Sequence, residues 1–272
     1  MRKVFAKVGD DLDEFNRFID EQMNSHVSSN YKARSVMDSL IGICNDAEKT
    51  EGCPLKTKTD IKRMLCCLFG AGYENTTNTI YYLVLYMIIH PEIQCKVHKE
   101  IDRVVGRDRL PTLSDRAKLP YTDAVLQEVI RHASLAPLTI PYSTLNDTHL
   151  LGYTIPKETP IFVNLWSVNY DENEWKDPHR FNPGRFLSDD GLSVKKSQVA
   201  KIVAFGLGKK RCPGEQLAQL ELFLFFAIFM HQCQFEKCEG DNPQLTSVYG
   251  LTLRPVPFRV VTKQRGPVLG MK

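Results

Sequence analysis

The sequence predicts a mainly α-helical protein with small β elements, and three observations carry that reading. Apolar residues recur at helical spacing through the first half of the chain. A stretch from about Asp60 to His90 reads as one helix, well beyond the usual length of about 11–12 residues. From Leu138 the period changes to short β-branched runs separated by turn residues. The 272 residues are 43% hydrophobic and 25% charged, an ordinary globular composition with enough chain for one large domain or two small ones.

Taken in order, Phe15, Phe18, Ile19, Met23 and Val27 define a first amphipathic helix, and a second covers Ala33–Glu48. Gly52, Cys53 and Pro54 mark the stretch Lys49–Lys58 as a loop. Asp60 is the expected cap of the long helix, and Pro91 ends it. The centre of that helix, Gly70–Asn78, is small and polar between apolar flanks, the pattern of a buried helix broken by a site. Pro91 then suits the first turn of a helix running to Gly106. Another helix covers about Tyr121–Ser134. Strands are expected at Thr139–Thr144, Leu150–Ile155 and Pro160–Val163. Phe181–Leu187 is a compact loop with Pro and Gly, and Val203–Gly214 is a Gly-rich loop. Gly214–His231 is apolar nearly all round, as a fully buried helix should be. Leu245–Lys263 suggests a final hairpin.

The formal net charge of +3 is small, and the basic residues are interspersed with acidic ones. Both facts argue against a nucleic-acid partner. Eight cysteines without a secretory signal or a CxxC pair point to a reducing compartment, not a disulfide framework or a zinc site. Most sit in apolar helical patterns, where Cys behaves as a small hydrophobe. The most apolar run, Leu217–Met230, is short and contains Glu221, which suits a core helix better than a membrane span. The N-terminal segment is amphipathic and soon acidic, unlike a transit peptide.

The most informative segment is Phe205-Gly-Leu-Gly-Lys-Lys-Arg-Cys212-Pro-Gly214. Gly206 and Gly208 permit positive φ and a tight turn, so the backbone can approach a flat ligand and aim NH groups at Cys212. Gly214 has no side chain to block a macrocycle beside the sulfur. The helix that follows would favour a thiolate at its N-terminus. A lone cysteine in such a loop is otherwise an ordinary small buried residue. Here the whole decapeptide resembles the haem-binding signature of the cytochromes P450, FxxGx(R/H)xCxG. The family's Arg is Lys210 in this chain, with Arg211 beside it. Lys can meet a haem propionate as a point charge instead of a fork.

Two further motifs extend the resemblance. Glu128-Val-Ile-Arg131 matches the family's ExxR pair, which joins an Arg from Phe181-Asn-Pro-Gly-Arg185-Phe186; Gly184 stands where Glu is usual. The implied triad Glu128–Arg131–Arg185 is structural and holds the cysteine loop. Ala71-Gly72-Tyr73-Glu74-Asn75-Thr76 resembles the oxygen-activation segment, (A/G)Gx(D/E)T(T/S). Small residues such as Ala71 and Gly72 leave room for dioxygen, and Glu74 matches the acid. The hydroxyl position is Asn75, and Thr76 lies about 100° further round the helix. The stretches Leu119–Thr144 and Ile155–Asn169 look like the family-1 branch, whose members oxidise planar aromatic hydrocarbons. Tyr142 stands where that branch has a propionate-binding His, and Leu138 and Thr139 correspond to pocket residues.

The resemblance implies the C-terminal portion of the cytochrome P450 fold, with residues 1–272 forming one partial domain. It implies a haem-thiolate monooxygenase with haem b (iron protoporphyrin IX) on Cys212. Phe205, Gly208, Lys210, Arg211, Gly214, Ala71, Gly72 and Tyr142 would contact the cofactor. Glu74, Asn75 and Thr76 would relay protons. One oxygen atom of O₂ would enter an apolar substrate, a planar aromatic or a lipid, with electrons from NADPH through NADPH-cytochrome P450 reductase. The basic cluster Lys209-Lys210-Arg211 is a candidate contact for that acidic partner. The location implied is the cytoplasmic face of the endoplasmic reticulum membrane, although no anchor is present. The family's N-terminal β-rich portion and substrate-roofing helices do not precede Met1, as in a truncated product, a partial gene model or a splice form. Apolar faces that those elements cover would then meet water. The alternative reading is a truncated, non-catalytic relative without stable haem.

Overall fold

The structure is a computed structural model that describes residues 2–26, 35–47 and 57–266. Val27, Ala33, Glu48, Cys53 and most of the loop Lys49–Lys58 lie outside the described residues. Eight helices are described: α1 Arg2–His26, α2 Val36–Ala47, α3 Lys58–Ile89, α4 Pro91–Val104, α5 Pro120–Ala133, α6 Leu165–Asn169, α7 Lys196–Val199 and α8 Glu215–Gln232. Between and after them lie eight short strands: β1 Tyr142–Ser143, β2 Thr148–Leu150, β3 Tyr153–Ile155, β4 Pro160–Ile161, β5 Cys233–Lys237, β6 Ser247–Tyr249, β7 Leu253–Pro255 and β8 Val260–Gln264. The expected mainly α class with small β elements is the observed one. The chain divides into two compact units, residues 1–74 and 75–272.

In the first unit, Ile19 and Met23 of α1, Leu40 of α2 and Ile61 of α3 form a small core. Ile19 and Met23 are four apart and so share a helix face. The start of α3 corrects one expectation. Asp60 is not the cap but the third helical residue, and Thr57 caps. The Asp60 amide donates to Thr57 Oγ1 at 3.2 Å, while the Thr57 amide donates to Asp60 Oδ2 at 3.0 Å. This reciprocal box satisfies two donors that a helix start leaves unpaired. A second correction concerns burial. Met64, Leu68, Phe69 and Tyr73 of α3 are exposed, whereas Asn78, Thr79 and Tyr82–Ile88 are largely buried. Among the described residues of its unit, the first half of α3 packs on α1 and α2, and residues off that stripe are exposed.

The second unit is built on a core shared by the end of α3 with α4, α5 and α8, through Tyr82, Tyr86, Val97, Ile101, Val125, Val129, Phe223 and Phe226 among others. Buried polar groups set the register of these elements. Glu100 of α4 accepts the Tyr121 amide at 2.9 Å and the Thr122 amide at 2.7 Å, which caps α5 from another helix. The residue at the α5 start, Leu119, has no side-chain acceptor to do so. Gln94 donates to Phe235 O at 2.9 Å and accepts the Phe235 amide at 2.8 Å, imitating a strand partner for β5. Each such group would be costly to bury without its partner.

The strands form four antiparallel pairs: β1 with β4, β2 with β3, β5 with β8, and β6 with β7. The expected strand at Leu150–Ile155 is two strands of a hairpin turning at Leu151–Gly152. The expected C-terminal hairpin is only β6–β7. β8 instead pairs with β5 along five residues, because α8 delivers β5 beside it. The expectation of full burial for α8 also fails. Its Leu217, Leu220 and Phe225 are exposed, while Leu222, Phe223, Phe226 and Met230 are buried. None of the seven described cysteines is fully buried, although Cys44, Cys66 and Cys233 pack against the cores. Cys67, Cys95 and Cys212 are exposed and Cys44, Cys66, Cys233 and Cys238 half-buried, none in a disulfide. Among the described residues no helix is long and apolar enough to cross a membrane.

The two faces of α8 give a direct test of this packing. Phe226 is 2% exposed and Phe225 45%. Urea unfolding of Phe226→Ala should show a loss of about 3–5 kcal/mol, and Phe225→Ala one near 0.5 kcal/mol or less. His98 supplies a pH test. It is buried on α4, and its Nε2 has no hydrogen-bond partner among the described residues. Burial, and then the positive charge of Arg265, lower its pKa from 6.5 to about 4. The unfolded state therefore binds the extra proton first as pH falls. Stability is fully present above pH 6.5 and lost progressively down to about pH 4. Stability curves of His98→Gln should show a shallower slope across that window than wild type.

Candidate haem-thiolate site

The site begins with a carboxylate that has no exposure at all. Glu128 and Arg131 lie three apart on α5, and both side chains are 0% exposed. Arg131 Nε meets Glu128 Oε2 at 2.7 Å and Nη2 meets Oε1 at 2.9 Å, a bidentate fork. Arg185 Nε donates to Glu128 Oε1 at 3.0 Å, and the Asn182 amide donates to the same oxygen at 2.8 Å. The triad Glu128–Arg131–Arg185 is thus formed. Charges buried this deeply are tolerable only when the ionic hydrogen bonds are complete.

The two guanidinium groups then organise the loops around α5. Arg131 Nη1 donates to Asn169 O at 2.7 Å and Nη2 to Pro178 O at 2.9 Å. Its plane lies over the rings of Tyr170 and Trp175. Arg185 donates to the carbonyls of Lys176, Asp177 and Arg180. Gly184, at the position where the pattern has Glu, suits its turn. A Cβ there would lie 3.0 Å from Asn182 Oδ1, which accepts the Gly184 amide.

Asn169 carries the arrangement to the cysteine loop, and sequence reasoning missed it. It is fully buried at the end of α6, and its Oδ1 accepts the Val203 amide at 3.4 Å. Val203 O in turn accepts the Gly206 amide at 2.9 Å, and Phe205 O accepts the Cys212 amide at 2.8 Å. The loop is therefore tied at both ends. A lone Asn ending a short helix has no pattern that would have revealed this role.

Within the loop, Gly206 and Gly208 adopt φ of 74° and 68°, left-handed conformations that glycine enters at little cost. A single 3₁₀ turn covers Gly208–Lys210, and α8 begins two residues beyond Pro213. Cys212 is exposed. A Cβ on Gly214 would stand 3.9 Å from Cys212 Sγ, so the glycine keeps one side of the sulfur clear. Lys209 and Lys210 are exposed. Arg211 is also exposed and makes a bidentate pair with Glu215, the first residue of α8, which raises the Arg211 pKa above its ordinary value.

The other predicted residues lie on separate elements. Tyr142 is half-buried in β1 opposite Ile161. The Thr139 amide donates to Val163 O and its hydroxyl accepts the Val163 amide; Leu138 bridges to Asn164. Ala71, Gly72 and Glu74 are exposed on α3 in the first unit, where a Cβ on Gly72 would meet nothing within 4 Å. Asn75 and Thr76 open the second unit, and Asn75 O accepts the Thr79 hydroxyl at 2.8 Å. The polar centre of α3 is therefore exposed from Gly70 to Asn75, half-buried at Thr76 and Thr77, and buried only at Asn78.

With this geometry in place, the family profile of the cytochromes P450 matches residues 1–261, and the chain belongs to the cytochrome P450 family. It is 41% identical over 245 residues to cytochrome P450 1A1 of Felis catus, covering 89% of this chain and 47% of that protein. Against cytochrome P450 1A2 of Rattus norvegicus it is 42% identical over 245 residues, with the same two coverages. Against cytochrome P450 1A1 of Pleuronectes platessa it is 40% identical over 255 residues, covering 93% and 48%. The chain spans about half the length of the curated relatives it matches. Membership in this family implies a haem cofactor.

The triad yields a stability test. Arg131→Met leaves the Glu128 charge buried with one remaining guanidinium, and should lower stability by about 3–5 kcal/mol in urea unfolding. The double variant Glu128→Leu/Arg131→Met removes both charges and should recover part of that loss.

Proposed function

We propose that this chain is the haem-binding half of a haem-thiolate monooxygenase, in which Cys212 would hold the iron. The observation that carries the reading is the cysteine loop. Two left-handed glycines, an anchored Cys212 amide and the bare Cα of Gly214 leave an exposed sulfur on a fixed backbone. Those features fit a flat macrocycle, since a side chain at position 214 would begin in contact with the sulfur, 3.9 Å from it.

Haem b, when bound, supplies the activation of dioxygen and the transfer of one oxygen atom to substrate. Cys212 Sγ would hold the iron and supply it with electron density. Phe205, Gly208 and Gly214 line the proximal side in this reading. Lys210 takes the propionate, because Arg211 is already engaged with Glu215; Tyr142 offers a second propionate a phenol hydrogen bond. Ala71 and Gly72 supply the small surface beside the oxygen site. Glu74 is the acidic residue of the relay in this reading. The Asn75 amide can orient a water in place of the hydroxyl, with Thr76 about 100° further round the helix.

The likeness to cytochromes P450 1A1 and 1A2 supports a planar aromatic or lipid substrate. It also supports NADPH-cytochrome P450 reductase as electron donor, and the cytoplasmic face of the endoplasmic reticulum membrane as location. Lys209 is the exposed charge best suited to an acidic reductase. The second reading, a relative without stable haem, draws on the exposed Phe69, Tyr73, Tyr81 and Phe225, apolar surface that favours association over isolated turnover.

Reconstitution with haemin followed by a reduced, carbon monoxide-bound difference spectrum decides between them. Wild type should show the red-shifted Soret band of thiolate ligation, and Cys212→Ser should lose it. An unshifted spectrum common to both proteins would favour the non-catalytic reading.

A further inference from the structure

We propose that Tyr86 and His132 form a redox-active pair, a site where one electron leaves the phenol while its proton passes to the imidazole. Neither residue belongs to the cysteine loop or the proton relay. Tyr86 lies near the end of α3 and His132 near the end of α5, and both belong to the second unit. The phenol oxygen stands 2.5 Å from His132 Nδ1.

The direction of that bond follows from the other side of the ring. His132 Nε2 lies 3.0 Å from His179 O, and a carbonyl only accepts, so Nε2 carries the hydrogen. In the neutral ring Nδ1 is then the acceptor and the Tyr86 hydroxyl the donor. Burial lowers the His132 pKa, so the ring is neutral and able to take a proton near pH 7. Burial likewise raises Tyr86 well above the ordinary phenol range. The phenol therefore stays protonated until it is oxidised, and its oxidation requires a proton acceptor in place. His132 is that acceptor.

The surroundings suit a radical. Tyr86 is 1% exposed, and its ring stacks on Phe181 at 4.4 Å and on His90 at 6.3 Å. Tyr170 packs against His132 at 5.5 Å between ring centroids, and Trp166 stacks on Tyr170 at 4.6 Å. Trp166 is 42% exposed. This succession of oxidisable rings gives electrons a route between solvent and the buried pair.

The step balances as follows. The Tyr86 O–H bond breaks, the proton bonds to His132 Nδ1, and one electron reduces a one-electron oxidant. The products are a neutral tyrosyl radical and an imidazolium. A thiol or ascorbate acting at Trp166 returns the electron through Tyr170, and the proton goes back to the phenol oxygen. In the cell the oxidant would be a haem treated with peroxide, and only that source rests on the reading above. The pair would then drain oxidising equivalents that miss their substrate.

The test needs no haem. Photogenerated tris(bipyridyl)ruthenium(III) is applied to the 272-residue chain, and freeze-quench electron paramagnetic resonance follows the products. Wild type should give a long-lived tyrosyl signal that Tyr86→Phe abolishes. His132→Gln keeps a hydrogen-bond acceptor but not a base, and should slow formation of the signal by about 100-fold, the usual worth of a positioned proton acceptor. Formation in wild type should also slow in deuterium oxide. The same signal with the same lifetime in either variant would overturn the pair. So would the absence of a solvent isotope effect in wild type, which needs no variant to fold.

Discussion

The structure depends on a single buried carboxylate. Glu128 is wholly removed from water, where an isolated charge would cost many times a protein's net stability. It is tolerable because two guanidinium groups and one amide converge on it. That requirement reaches outward. Arg131 and Arg185 have more N–H groups than Glu128 can accept, and the surplus must be satisfied by carbonyls in the loops at 169, 176–180. The path of the irregular chain after α6 is thereby dictated by the hydrogen-bond count of two arginines. Through Asn169 the same network reaches the Val203 amide, where the cysteine loop begins.

Apolar burial supplies the free energy of this unit but does not choose its register. Val97, Ile101, Val125, Val129 and Phe226 could pack in many near-equivalent ways. The buried polar residues could not. Glu100 fits only the amides that the start of α5 leaves without a helical partner, and Gln94 fits only an open stretch of β5. Each is a local demand with one solution, and together they convert a greasy assembly into a specified one.

The helices and the chemistry-bearing loop were legible in the sequence because each depends on a local signal. Pro91 and Pro120 mark helix starts by their geometry, and Gly206 and Gly208 announce left-handed turns. What the sequence did not disclose depends on partners far along the chain. Nothing near Asn169 points to Val203, and nothing near Leu119 points to Glu100. The exposed side of α8 was misread for a related reason: a helix with apolar residues all round has no favoured face, so periodicity cannot say which side meets the core. In β8, pairing with β5 is fixed by where α8 ends, a tertiary fact that alternation within the strand cannot carry.

Glu128, Arg131 and His132 occupy positions i, i+3 and i+4 of α5, so they share one helix face. The triad and the Tyr86–His132 contact are consequently parts of one electrostatic neighbourhood. Arg131 and Arg185 oppose a proton on His132, while Glu128 favours it. With the carboxylate fully paired, burial prevails and the ring stays neutral, the state in which it can receive a proton from Tyr86. The ionic network that fixes the cysteine loop thus also adds to the electrostatics of the neighbouring imidazole, whose neutrality burial decides. A change in the triad would act on both at once, through geometry on the loop and through charge on the ring.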